Sequence, residues 1–147
     1  MNYSKTKKKF VVEFIKRTKE NIKIIQDNNG YDITQMINSL IGVLIIPFEL
    51  WESRVIDLRD CMPDCLETME AYLASGCDDF MHFFRHLRNA AAHNGITFDG
   101  KMSIETITFQ SRVDPNNSSE LYTSVFKVNE FILFVNEFTD KICRIVK

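Results

Sequence analysis

Histidine is scarce in this chain. There are three among 147 residues, and all of them fall at positions 82, 86 and 93. Glycine and proline are scarce as well, five and three in number. With 45% hydrophobic and 26% charged residues, the composition excludes a disordered or collagen-like chain. Cysteine occurs at 61, 65, 77 and 143 and never as a CxxC pair, which leaves a zinc ribbon or a thioredoxin motif without support. Reduced, mostly buried thiols in a cytoplasm are the expected state. Long hydrophobic runs are missing. The longest, LIGVLIIPF at 40–48, is too short to cross a bilayer and contains Gly42 and Pro47. The basic N-terminus leads into no sustained apolar segment, so neither a signal peptide nor a membrane partner is expected. No internal repeat or low-complexity tract occurs.

The length fits one domain over 1–147. A domain of this size buries roughly 70% of the surface that its unfolded chain exposes, so no disulfide or metal is needed for folding. The net charge of −2 hides an asymmetry. Residues 1–23 carry eight Lys/Arg against two Glu, and residues 49–79 carry nine Asp/Glu against two Arg. A basic end can attract phosphate, and it can equally be a solvated helix face.

Apolar spacing predicts a helix over about 3–27, through Val11, Phe14, Ile15, Ile22 and Ile25. NNGYD then breaks it. A second helix, ITQMINSLIGVLII, is apolar nearly all round and so is expected to be the most buried. Pro47 ends it, kinks it, or starts another at PFELWESRVIDL. A third, PDCLETMEAYLAS, has Pro63 near its first turn and Gly76 after its end. A fourth is expected at 78–93, with Asp78 and Asp79 at its positive end and Asn94–Gly95 as its stop. Beyond it, ITF, DG and SIETITFQ read as a hairpin. DPNNSS reads as a loop, LYTSVF as a third strand, and Val128 to Ile142 as a closing amphipathic helix. The expected fold is mainly all-α: a four- to five-helix bundle with a small β-hairpin or three-stranded insertion before the last helix.

The fourth helix holds FRHLRNAAAHNG, residues 84–95. At about 100° per residue, His82, Arg85, His86, Arg88, Asn89 and His93 share one face, and Phe80, Phe83, Phe84, Leu87, Ala90 and Ala91 the other. Ala92 lies within the polar face and leaves room for close approach. Imidazole moves protons near neutral pH. Guanidinium offers a flat fork of donors to phosphate. An amide orients. Together they suit attack of an RNA 2′-hydroxyl on its adjacent phosphate, without a metal or any other cofactor. His93 falls in the last turn, where the helix dipole favours an imidazolium. An ordinary solvated face accounts for the same wheel. His82 and His86 also have the i, i+4 spacing that can chelate zinc, but no Cys or Glu stands at a partner spacing beside them, so no metal site is expected.

RNAAAH, with four residues between Arg88 and His93 and Asn89 directly after the arginine, resembles the Arg/His motif of the HEPN superfamily. DITQMINSLIGVLIIPFELW resembles the second helix of a small prokaryotic HEPN subfamily, and the late hairpin and closing helix extend the likeness from about Lys9 to Ile145. The resemblance implies a metal-independent endoribonuclease leaving a cyclic phosphate and a 5′-hydroxyl. It implies a homodimer with Arg and His from both subunits in one cleft, and a toxin or anti-phage setting with an antitoxin or nucleotidyltransferase as partner. Carried over, Arg88 is the phosphate ligand, His93 the catalytic histidine and Asn89 the orienting residue. Arg85, His86 and His82 have no family counterpart and are assigned to RNA contact from the wheel alone. Some members of the superfamily only bind RNA, nucleotides or a partner protein, which is the alternative reading.

Overall fold

A computed structural model describes residues 3–27, 39, 41–42, 57–101, 104–112 and 121–145. Four α-helices and one three-stranded antiparallel sheet occur among them. Helix α1 spans Tyr3–Asp27, as its apolar spacing requires, and buries Val11 and Ile15. The second expected helix and the one after Pro47 lie outside the described residues, except that Ser39, Ile41 and Gly42 are helical. The DPNNSS loop also lies outside them.

The third expected helix is broken. Residues 59–73 form 3-10 turns at Arg59–Cys61 and Asp64–Thr68, followed by the single α-turn α2, Glu70–Leu73. Between the last two, Met69 is extended, at φ −81° and ψ 128°. Leu66, Met69 and Ala71 are all buried. Their spacing of three and then two residues fits no single α-helix, so packing wins over helix propensity. The closing helix pins the segment from outside. Glu137 Oε2 accepts from Cys65 N at 3.2 Å, and Lys141 Nζ donates to the Met62 carbonyl at 2.7 Å.

The fourth expected helix is α3, Phe80–Ala92. Asp79 caps it, its Oδ1 accepting from His82 N at 2.7 Å, which satisfies one of the exposed first-turn amides. The other end closes in a Schellman turn. Asn94 takes a φ of 60°, and Gly95 N donates to the Ala90 carbonyl at 2.7 Å. Gly95 then joins helix to sheet, its carbonyl accepting from Gln110 N at 2.7 Å. A side chain at Gly95 would collide with the Gln110 carbonyl oxygen, so the glycine is required by close approach.

Strands β1 (Ile96–Asp99), β2 (Thr106–Arg112) and β3 (Leu121–Lys127) lie in the order β1-β2-β3. Asp99 pairs with Thr106, so DG does not make the two-residue turn its chemistry suggests. The Asp99 carboxylate accepts from Gly100 N and its carbonyl from Glu105 N, which opens a longer connection. Helix α4, Val128–Ile145, follows β3 directly.

The sheet is not an appendage to a bundle. Ile107, Phe109 and Phe126 on its inner face are fully buried, as are Phe83 and Phe84 of α3 and Phe131, Phe134 and Phe138 of α4. Phe126 stacks on Phe134 at 5.6 Å between centroids, and Phe84 meets Phe138 at 4.9 Å. Each such ring contributes roughly 1.5–3 kcal/mol by leaving water. Helices α3 and α4 therefore share the inner face of the sheet and meet through Phe84 and Phe138, and this fixes which polar residues of α3 can reach solvent.

Candidate functional site

The apolar half of the α3 wheel holds: Phe80, Phe83, Phe84, Leu87 and Ala90 are buried. The polar half divides in three. His86, expected on the solvent face, is only 2% exposed. The inner row of the sheet ends in Ser124 and Ser111, in phase with Phe126 and Phe109, and these serines receive the imidazole. Nδ1 lies 2.6 Å from Ser111 Oγ and Nε2 2.9 Å from Ser124 Oγ. Burial, with the nearby His82 second, lowers the His86 pKa from 6.5 to about 4. A neutral ring with both nitrogens engaged is an anchor between helix and sheet, not the solvent-facing group expected, although it borders the cleft beside it.

His82, Arg85 and Asn89 form the second group. They line a cleft of about 420 Å³ between α3 and the end of the sheet, with Asp78, Arg112 and Tyr122 opposite and alongside. His82 Nδ1 accepts from Asp78 N at 3.1 Å and lies 3.7 Å from Asp78 Oδ2. Its ring meets Tyr122 edge-on, with 4.7 Å between centroids. Arg112 and Tyr122 are site residues that the sequence reading missed. Both come from strands whose register to α3 has no local signal.

His93 is the helix cap, at φ −115° and ψ 25°, and is exposed. It opens on a second cleft of about 520 Å³ with Asn89, Gly95, Gln110, Ser111, Arg112 and Leu121. Asn89, Ser111 and Arg112 line both clefts, so the two make one groove along α3. Arg88, half-buried, lines neither. Its Nη1 donates to Asn89 Oδ1 at 3.2 Å, which turns the donor side of the amide away from the arginine. Within one chain, then, the structure brings together Asn89 and His93, and His82 and Arg85. It holds Arg88 on the flank of the helix.

No group of three His, Cys, Asp or Glu residues placed to hold a metal occurs among the described residues. No disulfide joins the cysteines there. Burial raises the Cys61 thiol to about 11 and the Cys65 thiol to about 12, the latter also through Glu137, so neither is a nucleophile at neutral pH. No described helix is long and apolar enough to cross a membrane.

A family model described as HEPN pEK499 p136 matches residues 1–147. The chain belongs to this HEPN family. No curated protein and no solved structure matches the chain. HEPN membership accords with the mainly helical fold, and it associates the chain with RNA cleavage or RNA binding.

Proposed function

We propose that this HEPN domain is a metal-independent endoribonuclease. The 2′-hydroxyl oxygen attacks the adjacent phosphorus, the bond from phosphorus to O5′ breaks, and the products are a 2′,3′-cyclic phosphate and a 5′-hydroxyl. The 2′-hydroxyl loses a proton and O5′ gains one. His93 is the group that carries protons in this step. The Arg88 guanidinium stabilises the extra negative charge of the crowded phosphorane, and Asn89 donates to a phosphate oxygen. The observation that carries this reading is the exposed cap position of His93, opening on the same groove as Asn89 and Arg112.

On an ideal helix Arg88 and His93 stand about 140° apart, which supports a homodimer in which a second copy presents its arginine. We place the enzyme in the cytoplasm as a toxin or anti-phage effector, restrained by an antitoxin or modified by a nucleotidyltransferase. Finding a small gene of either kind beside this one would support that setting. The second reading is a non-catalytic RNA-, nucleotide- or partner-binding module, favoured by the separation of Arg88 from His93 within one chain. Expression of wild type against His93→Ala, with sequencing of RNA 5′ ends, separates the two. New 5′-hydroxyl ends in wild type alone support the nuclease. RNA binding without new ends supports the module.

A further inference from the structure

The upper cleft has its own polarity, which the proposed cleavage chemistry does not use. At one end stand Arg85 and Arg112, both exposed. In the middle stand the rings of His82 and Tyr122. At the other end stand the carboxylates of Asp78 and Asp79. Tyr122 is half-buried, held edge-on by His82 and backed by Gly76. A side-chain carbon on that glycine would come to 3.4 Å from Tyr122 Cδ1. The ring is therefore fixed in place before any ligand arrives.

A carboxylate end repels phosphate, and a guanidinium pair attracts it. An aromatic wall between them suits a flat, uncharged π-system. One nucleotide unit matches that order, with the phosphate at the arginines and the base on the rings. The base edge would then meet Asp78. Asp79 is occupied as the helix cap, whereas Asp78 is exposed. A carboxylate accepts only, so it selects a base edge that donates, through an exocyclic amino group or a ring N–H, and best through both together as in guanine. A volume of about 420 Å³ falls within the range of small-ligand sites.

Resting on the ribonuclease reading, we propose that this cleft is a base-and-phosphate subsite for single-stranded RNA. The base packs on Tyr122 and His82, the adjoining phosphate lies between Arg85 and Arg112, and Asp78 accepts from an amino group of the base. Asn89 and Arg112 border both clefts, so the strand runs on along α3 to the phosphate cut at His93. From His82 to His93 the helix rises about 16 Å, a span that takes a short oligonucleotide and more than one nucleotide. A duplex cannot place an unstacked base on Tyr122.

The test is binding of a short 2′-O-methyl oligonucleotide to the full chain, since such an RNA cannot be cut. Cleavage of the unmodified oligonucleotide is measured in parallel. Tyr122→Leu weakens binding by between about fivefold and about a hundredfold. Tyr122→Phe recovers most of that loss. Arg112→Ala, an exposed substitution that leaves the fold intact, lowers the slope of log affinity against log salt by about one. A guanosine-containing oligonucleotide, which offers a carboxylate an amino and a ring N–H together, binds more tightly than an all-adenosine one, and Asp78→Ala narrows the difference. If Tyr122→Leu and Arg112→Ala bind as wild type does while wild type cleaves RNA, the subsite is overturned and the nuclease stands. If binding falls in these variants but wild type cuts nothing, the subsite stands and the nuclease is overturned. If folded wild type binds no RNA, both are overturned. Equal affinity for the two sequences removes the contact assigned to Asp78.

Discussion

Ser111 on β2 and His86 on α3 share a 2.6 Å hydrogen bond, and Ser124 on β3 closes the other ring nitrogen at 2.9 Å. This clamp decides where the groove lies. It holds the polar face of α3 against the end of the sheet, so that His82, Arg85 and Asn89 border a cleft where otherwise they would stand in open solvent.

The clamp makes stability depend on pH. The His86 pKa is about 4 in the folded chain against 6.5 for an ordinary histidine. Between those values the unfolded chain binds a proton that the folded chain does not, so stability is full above about pH 6.5 and falls as the pH drops toward 4. Two and a half pKa units correspond to about 3 kcal/mol in all, of which about 2 kcal/mol is lost between pH 7 and pH 5. Urea denaturation at the two pH values checks this. His86→Gln, although less stable at pH 7, shows a smaller pH slope than wild type. Equal slopes would mean that folding does not shift the His86 pKa.

The joint between α3 and β2 predicts a sharp effect of a small change. Gly95→Ala places a methyl against the Gln110 carbonyl and threatens the hydrogen bond from Gln110 N to Gly95 O. The backbone must separate, and the expected cost exceeds about 2 kcal/mol, in the range of backbone strain plus a lost hydrogen bond. Thermal unfolding reads it as a marked fall in Tm. A variant as stable as wild type would show that helix and strand do not approach this closely.

How much of this was legible in the sequence depends on the range of the interaction. Helix α1 and the ends of α3 follow from local spacing and from Asp79, Asn94 and Gly95, and the structure places them within two residues of the expectation. The strands were legible as alternating runs. The broken segment at 59–73 was not, because Leu66, Met69 and Ala71 answer to α4 and the rest of the core and not to one another. His86 was misplaced for a similar reason. A helical wheel has only two sides, and α3 is covered on both. The available signal was in the strands. Ser111 and Ser124 sit in phase with Phe109 and Phe126, and a hydroxyl in a buried row needs a polar partner. Of the candidate groove, Asn89 and His93 were legible in one stretch, while Arg112 and Tyr122 reach it only through sheet register.

Cleavage is expected to survive chelation. The one histidine pair with chelating spacing is His82 and His86, and both nitrogens of His86 are held by serine hydroxyls. A metal would have to break that clamp to gain a ligand. RNA cleavage in EDTA should match cleavage without it. Loss of activity on chelation, restored by a single divalent cation, would require a different mechanism.

The last prediction concerns Arg88 and His93. Five steps of about 100° put them about 140° apart on an ideal helix. His93 opens on the cleft with Gln110 and Arg112, while Arg88 lines neither cleft. One chain therefore directs only one of the two groups at a phosphate in the groove. A two-fold axis passing near Ala92, which is exposed and small, lets a second α3 approach closely and supply the other. Arg88→Ala and His93→Ala should each be inactive alone, with His93→Ala costing less than about 0.5 kcal/mol of stability, as is usual at exposed positions. Mixed under conditions that allow subunit exchange, the two inactive proteins should regain part of the wild-type activity, because some heterodimers contain one intact Arg/His pair. Size-exclusion chromatography with light scattering should show a dimer in the active fractions. A monomer that cleaves RNA at the wild-type rate would place both residues in one chain's site and remove the need for the second copy.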